Sequence, residues 1–171
     1  MQSYNLQDLS VLVVDDNRLM RNLVRTILFT LGVQEISEAA DGAAALRVLN
    51  EFPADVVITD WRMEPLDGLD LTRIIRTGED SPNPFVPIIM LTGYTEVARV
   101  HEARDAGVTE FLAKPVSSSM VYRRMAKVLE KPRQFIRTRG FTGPDRRRQN
   151  IQQAGPERRI VEDALVEQLA A

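Results

Sequence analysis

The sequence predicts an α/β fold built on a doubly wound parallel sheet. Three observations support this prediction. Five short apolar runs recur along the first 130 residues, stretches with helical periodicity separate them, and the strongest runs are apolar without alternation, namely VLVV (11–14) and VVIT (56–59). Continuous apolar strands indicate burial on both faces, as in a parallel sheet covered by helices on each side.

Each predicted element follows from a local pattern. The apolar runs predict strands over 10–14, 34–37, 56–59, 87–91 and 109–112. Apolar residues spaced by three and four predict helices over 19–31, 43–49, 69–75, 97–106 and 120–129, and Gly32 and Gly107 close the first and fourth. The three prolines of GEDSPNPFVP (78–87) predict a loop before the fourth strand. Five such β-α units predict a flavodoxin-like sheet with strand order 2-1-3-4-5.

Composition excludes several classes of protein. The chain has 171 residues, 44% of them hydrophobic, a net charge of −2 and no cysteine. A disulfide framework, a thiolate metal site and a cysteine nucleophile are therefore excluded. No apolar run reaches the length of a membrane span, and the polar start MQSYNLQDLS lacks the pattern of a signal peptide. These features predict a soluble cytoplasmic protein without a membrane partner.

Charged and hydroxyl side chains stand where the predicted strands end. Strand 1 ends in Asp15-Asp16, strand 3 in Asp60 and strand 4 in Thr92, and strand 5 runs into Lys114. Because ligands bind at the carboxyl ends of strands in such sheets, we expect these five side chains to converge. Taken alone, four of them have an ordinary explanation: the Asp15-Asp16 pair before a helix is often an N-cap, and Thr92 and Lys114 stand at positions typical of turns and loops.

The chemistry that suits this set is phosphoryl transfer to a carboxylate. Three neighbouring acids repel one another and require a cation, and a set of oxygen ligands without Cys or His selects Mg²⁺. Asp60 can then act as the nucleophile toward phosphorus. Lys114 and the Thr92 hydroxyl can stabilise the charge on the phosphoryl oxygens.

The stretches VLVVDDNRLMR, VVITDWRMEPLDG, IIMLTGY and EFLAKP together resemble the receiver domain of bacterial two-component response regulators. The resemblance, which is to chemotaxis-regulator-like members, covers residues 8 to about 130. It implies that Asp60 is the phosphoacceptor and that Asp15, Asp16, Asp60 and the backbone carbonyl of Arg62 bind Mg²⁺.

The resemblance also implies a conformational switch. Thr92 matches the hydroxyl residue that responds to phosphorylation, and Phe111 matches the aromatic residue that moves inward with it. Lys114 matches the lysine that pairs with the phosphoryl group, and the Lys114-Pro115 bond is expected to be cis.

Some positions depart from the family pattern. Glu64 stands where the family usually has proline and Pro65 follows it, so the loop that carries the Arg62 carbonyl is expected to differ. Trp61 is expected to lie on the surface at the rim of the site, where its fluorescence would report binding. The single histidine, His101, is expected to be a solvated residue of the fourth helix rather than a phosphohistidine.

These residues predict a stand-alone response regulator. A histidine kinase or phosphotransfer protein would phosphorylate Asp60, and the change would alter binding to a downstream protein. The alternatives are a phosphate sink or shuttle in a phosphorelay and a nucleic-acid-binding regulator. A phosphatase that turns over substrates is disfavoured because Arg62 stands where such enzymes need a second acid. We therefore expect no enzyme activity beyond Mg²⁺-dependent self-phosphorylation and autodephosphorylation, and a monomer or weak dimer.

The charge distribution divides the chain at about residue 130. Residues 1–130 hold 13 basic and 19 acidic residues, whereas 131–171 hold 9 and 5. We predict a receiver domain over 1–130, a basic linker or extension over 131–156 and a short amphipathic helix over 157–171. Within the extension, a plain linker, a nucleic-acid contact and docking through Phe135, Ile136 and Phe141 compete. The segment is too short for a DNA-reading module and the net charge is acidic, which favours docking over nucleic acid.

Overall fold

The computed structural model describes residues 5–93, 98–130, 134–138 and 141–145. The strands of its main sheet are β1 (Ser10–Val14), β2 (Glu35–Ala39), β3 (Val56–Asp60), β4 (Ile88–Thr92) and β5 (Glu110–Ala113). The helices are α1 (Arg18–Thr30), α2 (Gly42–Glu51), α3 (Gly68–Thr77), α4 (Val100–Ala106) and α5 (Ser118–Glu130). The sheet is parallel with the order β2-β1-β3-β4-β5, which confirms the predicted fold class.

The side chains of β1 show why continuous apolar strands form here. Val11 and Val13 belong to one buried cluster, which includes residues of α1 and α5. Leu12 and Val14 belong to a second cluster, which includes residues of α2 and α3. Successive residues of a strand point to opposite faces, so a strand covered by helices on both sides must be apolar at every position.

The register of the sheet brings the strand ends to one edge. Val14 of β1 is paired with Thr59 of β3, and Asp60 is paired with Leu91 of β4. Thr92, the last residue of β4, is paired with Ala113 at the end of β5. The residues that follow β1 and β5 therefore leave the sheet beside Asp60 and Thr92.

Each helix differs from its predicted range by one to three residues at one or both ends, and the third and fourth helices show why. The third begins at Gly68 with Asp67 as its N-cap, whose carboxylate accepts a hydrogen bond from the Asp70 amide at 2.8 Å. The fourth begins at Val100 rather than at residue 97, which lies outside the described residues. It ends at Gly107, whose φ of 105° lies in the left-handed region that favours glycine.

Part of the predicted basic extension forms a hairpin that the sequence analysis did not predict. Strands β6 (Phe135–Thr138) and β7 (Phe141–Pro144) pair antiparallel. The ring of Phe135 packs edge-on against Phe85 with centroids 5.5 Å apart, so docking through this residue is confirmed, whereas Ile136 is 38% exposed. The helix predicted over 157–171 lies outside the described residues.

Candidate functional site: an acidic cluster at the strand ends

The three predicted acids converge beside the carboxyl ends of β1 and β3. Carboxylate oxygens of Asp15, Asp16 and Asp60 all lie within 4.8 Å of one another. Asp15 is 1% exposed and Asp60 is 9% exposed, while Asp16 faces solvent. The arrangement is therefore a half-open cup with two buried carboxylates below and one at the mouth.

Lys114 supplies positive charge from the adjacent end of β5. Its Nζ lies 2.8 Å from Asp60 Oδ1 and 3.6 Å from Asp15 Oδ2. Its backbone amide donates a hydrogen bond to the Thr92 carbonyl at 2.8 Å, and the Lys114-Pro115 bond is cis as expected. The Glu64-Pro65 bond is cis as well, in the loop where the sequence departs from the family pattern.

The protonation of the two buried acids reflects their surroundings. Burial raises the pKa of Asp15, and the nearby carboxylate of Asp60 raises it further, while a hydrogen bond from the Asn17 amide and the charge of Lys114 oppose this. Burial also raises the pKa of Asp60, and Lys114 again opposes the shift. One lysine therefore does not fully compensate the negative charge, and the site favours additional positive charge.

Two buried polar atoms at the site have no hydrogen-bond partner among the described residues. One is Oγ1 of Thr92, a residue that is 1% exposed, and the other is Oδ2 of Asp15, which has only Lys114 at ion-pair distance. An unpartnered buried polar group is costly, and functional sites are where such groups are found. A cation beside Asp15 and an acceptor beside Thr92 would satisfy both atoms.

The donor set fits a magnesium ion. It consists of carboxylate oxygens, which are the ligands that hard divalent cations prefer, and no histidine or thiolate takes part among the described residues. Asp16 and the buried pair would hold the ion at the mouth of the cup. Arg62, predicted to contribute its backbone carbonyl, has an exposed side chain on the loop that follows Asp60.

The turn after β1 keeps the acid pair available for this role. Asn17, rather than Asp15 or Asp16, is the N-cap of α1, and its side chain accepts hydrogen bonds from the amides of Leu19 and Met20. The interpretation of the acid pair as a helix cap is therefore wrong. Because Asn17 satisfies the helix end, both carboxylates remain free to face the cup.

Arg21 also fixes the loop that carries Asp15 and Asp16, a role that the sequence analysis did not predict. Its Nη1 donates a hydrogen bond to the Asp15 carbonyl at 2.7 Å, and its Nε lies 3.4 Å from Glu38 Oε2. The signal was present in the sequence, because an arginine in the first turn of α1 can reach back to the preceding loop. Arg21 thus fixes the backbone that carries the first acid.

Gly68 is required beside Asp60. A Cβ built on this residue would overlap the carbonyl oxygen of Asp60, and the Gly68 amide donates a hydrogen bond to the Trp61 carbonyl at 2.9 Å. The start of α3 therefore lies directly against the backbone of Asp60. Only a residue without a side chain permits this approach.

The expectation that Trp61 lies on the surface is wrong. Its side chain is 1% exposed and belongs to a buried cluster with Leu69, Met90 and Phe111, while the Arg99 guanidinium lies 5.6 Å from its ring centroid. Since Asp60 points to the site, the next residue of the extended chain points to the opposite side, beneath α4. Trp61 is thus a buried neighbour of the site rather than a rim residue.

The remaining predicted residues lie as follows. Phe111 is 3% exposed within the same buried cluster, so its ring points inward in this structure. His101 is exposed on α4 and lies outside the acidic cluster.

Comparison with known proteins agrees with this geometry. The family model described as the response regulator receiver domain matches residues 11–126. The chain belongs to this family. It is 33% identical over 125 residues to the chemotaxis protein CheY-3 of Vibrio cholerae, an alignment that covers 73% of this chain and 95% of the relative.

Solved structures of receiver domains are similar as well. The chemotaxis protein CheY4 of Vibrio cholerae superposes with a TM-score of 0.64 at 31% identity, covering 70% of this chain and 98% of that one. The receiver domain of a sensor histidine kinase from Pseudomonas aeruginosa superposes with a TM-score of 0.62 at 30% identity, covering 70% and 95% of the two chains. That structure holds a magnesium ion in its active site cleft.

The helices in the described part of the chain are all too short or too polar to cross a membrane.

Proposed function

We propose that this receiver accepts a phosphoryl group on Asp60 from a histidine kinase or a histidine phosphotransfer protein, and signals through a downstream protein partner. The observation that supports the proposal most strongly is the contact of Lys114 Nζ with Asp60 Oδ1 at 2.8 Å, inside a cup formed by two further carboxylates. The proposed nucleophile Asp60, its counter-ion Lys114 and the carboxylates that would bind a cation therefore lie at the same site.

The reaction assigns a role to each side chain. An ionised Asp60 oxygen forms a bond to phosphorus while the bond from phosphorus to the histidine nitrogen of the donor breaks, and the imidazole leaves with the electron pair. Mg²⁺, bound by Asp15, Asp16, Asp60 and the Arg62 carbonyl, would supply positive charge for the transferring oxygens. Lys114 releases its contact with the Asp60 carboxylate and pairs with the phosphoryl oxygens instead.

The unpartnered hydroxyl of Thr92 gives the site its response. A phosphoryl group on Asp60 brings strong acceptor oxygens, and the Thr92 hydroxyl is a buried donor without an acceptor among the described residues. We expect Thr92 to move toward the phosphoryl group and the Phe111 ring, which is already buried, to shift further into the space that it leaves. The surface formed by α4, β5 and α5 would then change its affinity for a partner.

Beryllofluoride titration tests the proposal, because this anion imitates a phosphoryl group on a carboxylate. Trp61 is the only tryptophan and lies next to Asp60, so its fluorescence is a specific signal. We expect a saturable change that requires Mg²⁺ and is absent from Asp60→Asn. A change that persists in Asp60→Asn would contradict the proposed role of Asp60.

A further inference from the structure

The hairpin β6–β7 docks at the end of the sheet opposite the acidic cluster. Strand β7 is largely buried, whereas three of the four residues of β6 are exposed. The hairpin contacts a surface that we call the docking corner, formed by Arg76 near the end of α3, Phe85 in the loop before β4, and Gly107 at the end of α4. Residues 134–138 and 141–145 of the extension thus pack against the receiver fold.

One contact of the docking corner is an aromatic and cationic cluster. The Arg76 guanidinium lies 5.0 Å from the ring centroid of Phe135, which also packs edge-on against Phe85. Arg76 Nε donates to the Gly107 carbonyl at 3.0 Å, and Nη1 donates to the Pro84 carbonyl at 2.9 Å. The side chain therefore ties the ends of α3 and α4 together directly beneath the hairpin.

This cluster buries a positive charge without an acidic partner among the described residues. Arg76 is 2% exposed, its Nη2 has no hydrogen-bond partner there, and burial lowers its pKa to about 9. Covering such a cation is unfavourable unless the surrounding contacts compensate for the lost water. The docked position of the hairpin therefore depends on close packing, which a small displacement of the corner can disrupt.

The second contact joins two glycine backbones. A Cβ built on Gly143 of β7 would lie 2.9 Å from the Cα of Gly107, and one built on Gly107 would lie 3.0 Å from the Thr142 carbonyl oxygen. Neither position has room for even one additional carbon atom without movement. The packing of the hairpin therefore depends on the position of Gly107, the residue at the end of α4.

Helix α4 connects this contact with the acidic cluster. Val100 and Ala103 of this helix pack in the buried cluster that contains Trp61 and Phe111. The helix is only seven residues long, about 10 Å, so Gly107 at its end lies close to this packed cluster. The same helix therefore contacts the buried cluster next to Asp60 and, through Gly107, the hairpin.

We propose that the β6–β7 hairpin is a latch that phosphorylation of Asp60 releases from the docking corner through α4. This inference rests on the proposed function, because it takes the phosphoryl group as the signal. Movement of Thr92 toward the phosphoryl group shifts α4, and the shift separates Gly107 from Gly143. Release uncovers Arg76 and Phe85, so that the docking corner is exposed only in the phosphorylated protein.

Hydrogen-exchange mass spectrometry of the full chain tests the latch. The amides of 134–138 and 141–145 are followed with and without Mg²⁺ and beryllofluoride. We expect these amides to exchange at least about fivefold faster with beryllofluoride, the lower end of the usual range of coupling between sites. Trp61 fluorescence, recorded on the same samples, shows whether beryllofluoride has bound.

Two variants provide a matched pair within β6–β7. Gly143→Ala places a methyl group against the Gly107 backbone and against the Phe141 ring of the same strand, and we expect it to release the hairpin without beryllofluoride. Arg137→Ala changes an exposed residue of β6 and should leave exchange unchanged. Because coupling between two sites is reciprocal, Gly143→Ala should also bind beryllofluoride about fivefold more tightly, whereas Arg137→Ala should not.

The outcomes separate this inference from the proposed function. Binding of beryllofluoride with unchanged or slower exchange of the hairpin amides overturns the latch and leaves the role of Asp60 intact. Equal beryllofluoride affinity in Gly143→Ala and the unaltered protein, when exchange shows that the variant hairpin is released, also overturns the latch. Failure of beryllofluoride to bind overturns both proposals.

Discussion

Replacing Lys114 with methionine should destabilise the protein in a way that depends on pH and on Mg²⁺. Lys114 Nζ lies 2.8 Å from Asp60 and 3.6 Å from Asp15. At an effective dielectric constant of about 20, these distances correspond to attractions of roughly 6 and 5 kcal/mol. The cost of removing the ammonium group from water offsets much of this attraction, and its 28% exposure screens it further. We expect a net loss of about 2–3 kcal/mol in the free energy of unfolding near neutral pH without Mg²⁺.

The pH dependence gives the prediction its specificity. Burial raises the pKa of Asp15 and of Asp60, so their ionisation opposes folding, and this cost grows as pH rises above the ordinary aspartate range. In Lys114→Met, which lacks the ammonium group, the free-energy cost of ionising the two buried acids increases further. At a pH below the ordinary aspartate range both acids are protonated, and Lys114→Met should then cost less than about 1 kcal/mol. Mg²⁺ should restore much of the stability at neutral pH.

Urea denaturation followed by circular dichroism measures these differences. Lys127→Met is a suitable control, because Lys127 Nζ lies 3.1 Å from the buried acid Glu110, which keeps Arg124 at 3.7 Å when the lysine is removed. The control should lose less stability, and Mg²⁺ should not restore it. An equal loss for Lys114→Met at both pH values would refute the charge argument, as would a loss that Mg²⁺ leaves unchanged.

Three further predictions follow from the same site. Thr92→Val removes an unpartnered buried hydroxyl, so the free energy of unfolding should rise by up to about 1 kcal/mol. The change in hydrogen exchange that beryllofluoride induces should disappear in this variant. A loss of stability would show that the hydroxyl has a partner. Gly68→Ala forces a methyl group against the Asp60 carbonyl and should cost about 2–3 kcal/mol in urea denaturation, and an unchanged midpoint would contradict the close approach. Mg²⁺ affinity, measured by Trp61 fluorescence, should fall as pH drops into the raised titration range of Asp15 and Asp60, because protons then compete with the ion. Constant affinity from neutral pH down through that range would contradict the proposal that these two acids bind Mg²⁺.

The sequence predicted the site well because strand ends leave little freedom. Val56 to Thr59 form a short run of β-branched residues that is typical of a buried strand, and Asp60 follows it directly. In a parallel sheet of this order the carboxyl ends of neighbouring strands meet at one edge. The apolar runs alone therefore predict that Asp15, Thr92 and Lys114 lie beside Asp60, as the structure shows.

Other features depend on tertiary contacts that local patterns do not contain. Trp61 beside an acid suggested a rim position, yet the alternation of the extended chain sends its ring beneath α4. The many arginines of the extension are typical of a solvated linker, and they did not indicate the two short strands. A weak hairpin signal is present, since the β-prone pairs Phe135-Ile136 and Phe141-Thr142 flank a short segment that contains Gly140. The burial of Arg76 had no sequence signal, because it results from the hairpin packing over a helix end.

Intact-protein mass spectrometry after incubation with acetyl phosphate tests the central claim most directly. With Mg²⁺ present, the protein should gain the mass of one phosphoryl group, and peptide mapping should place the group on Asp60. The gain should disappear when a chelator removes Mg²⁺ and in Asp60→Asn. Uptake of the same phosphoryl mass by Asp60→Asn, or uptake that does not depend on Mg²⁺, would contradict the account.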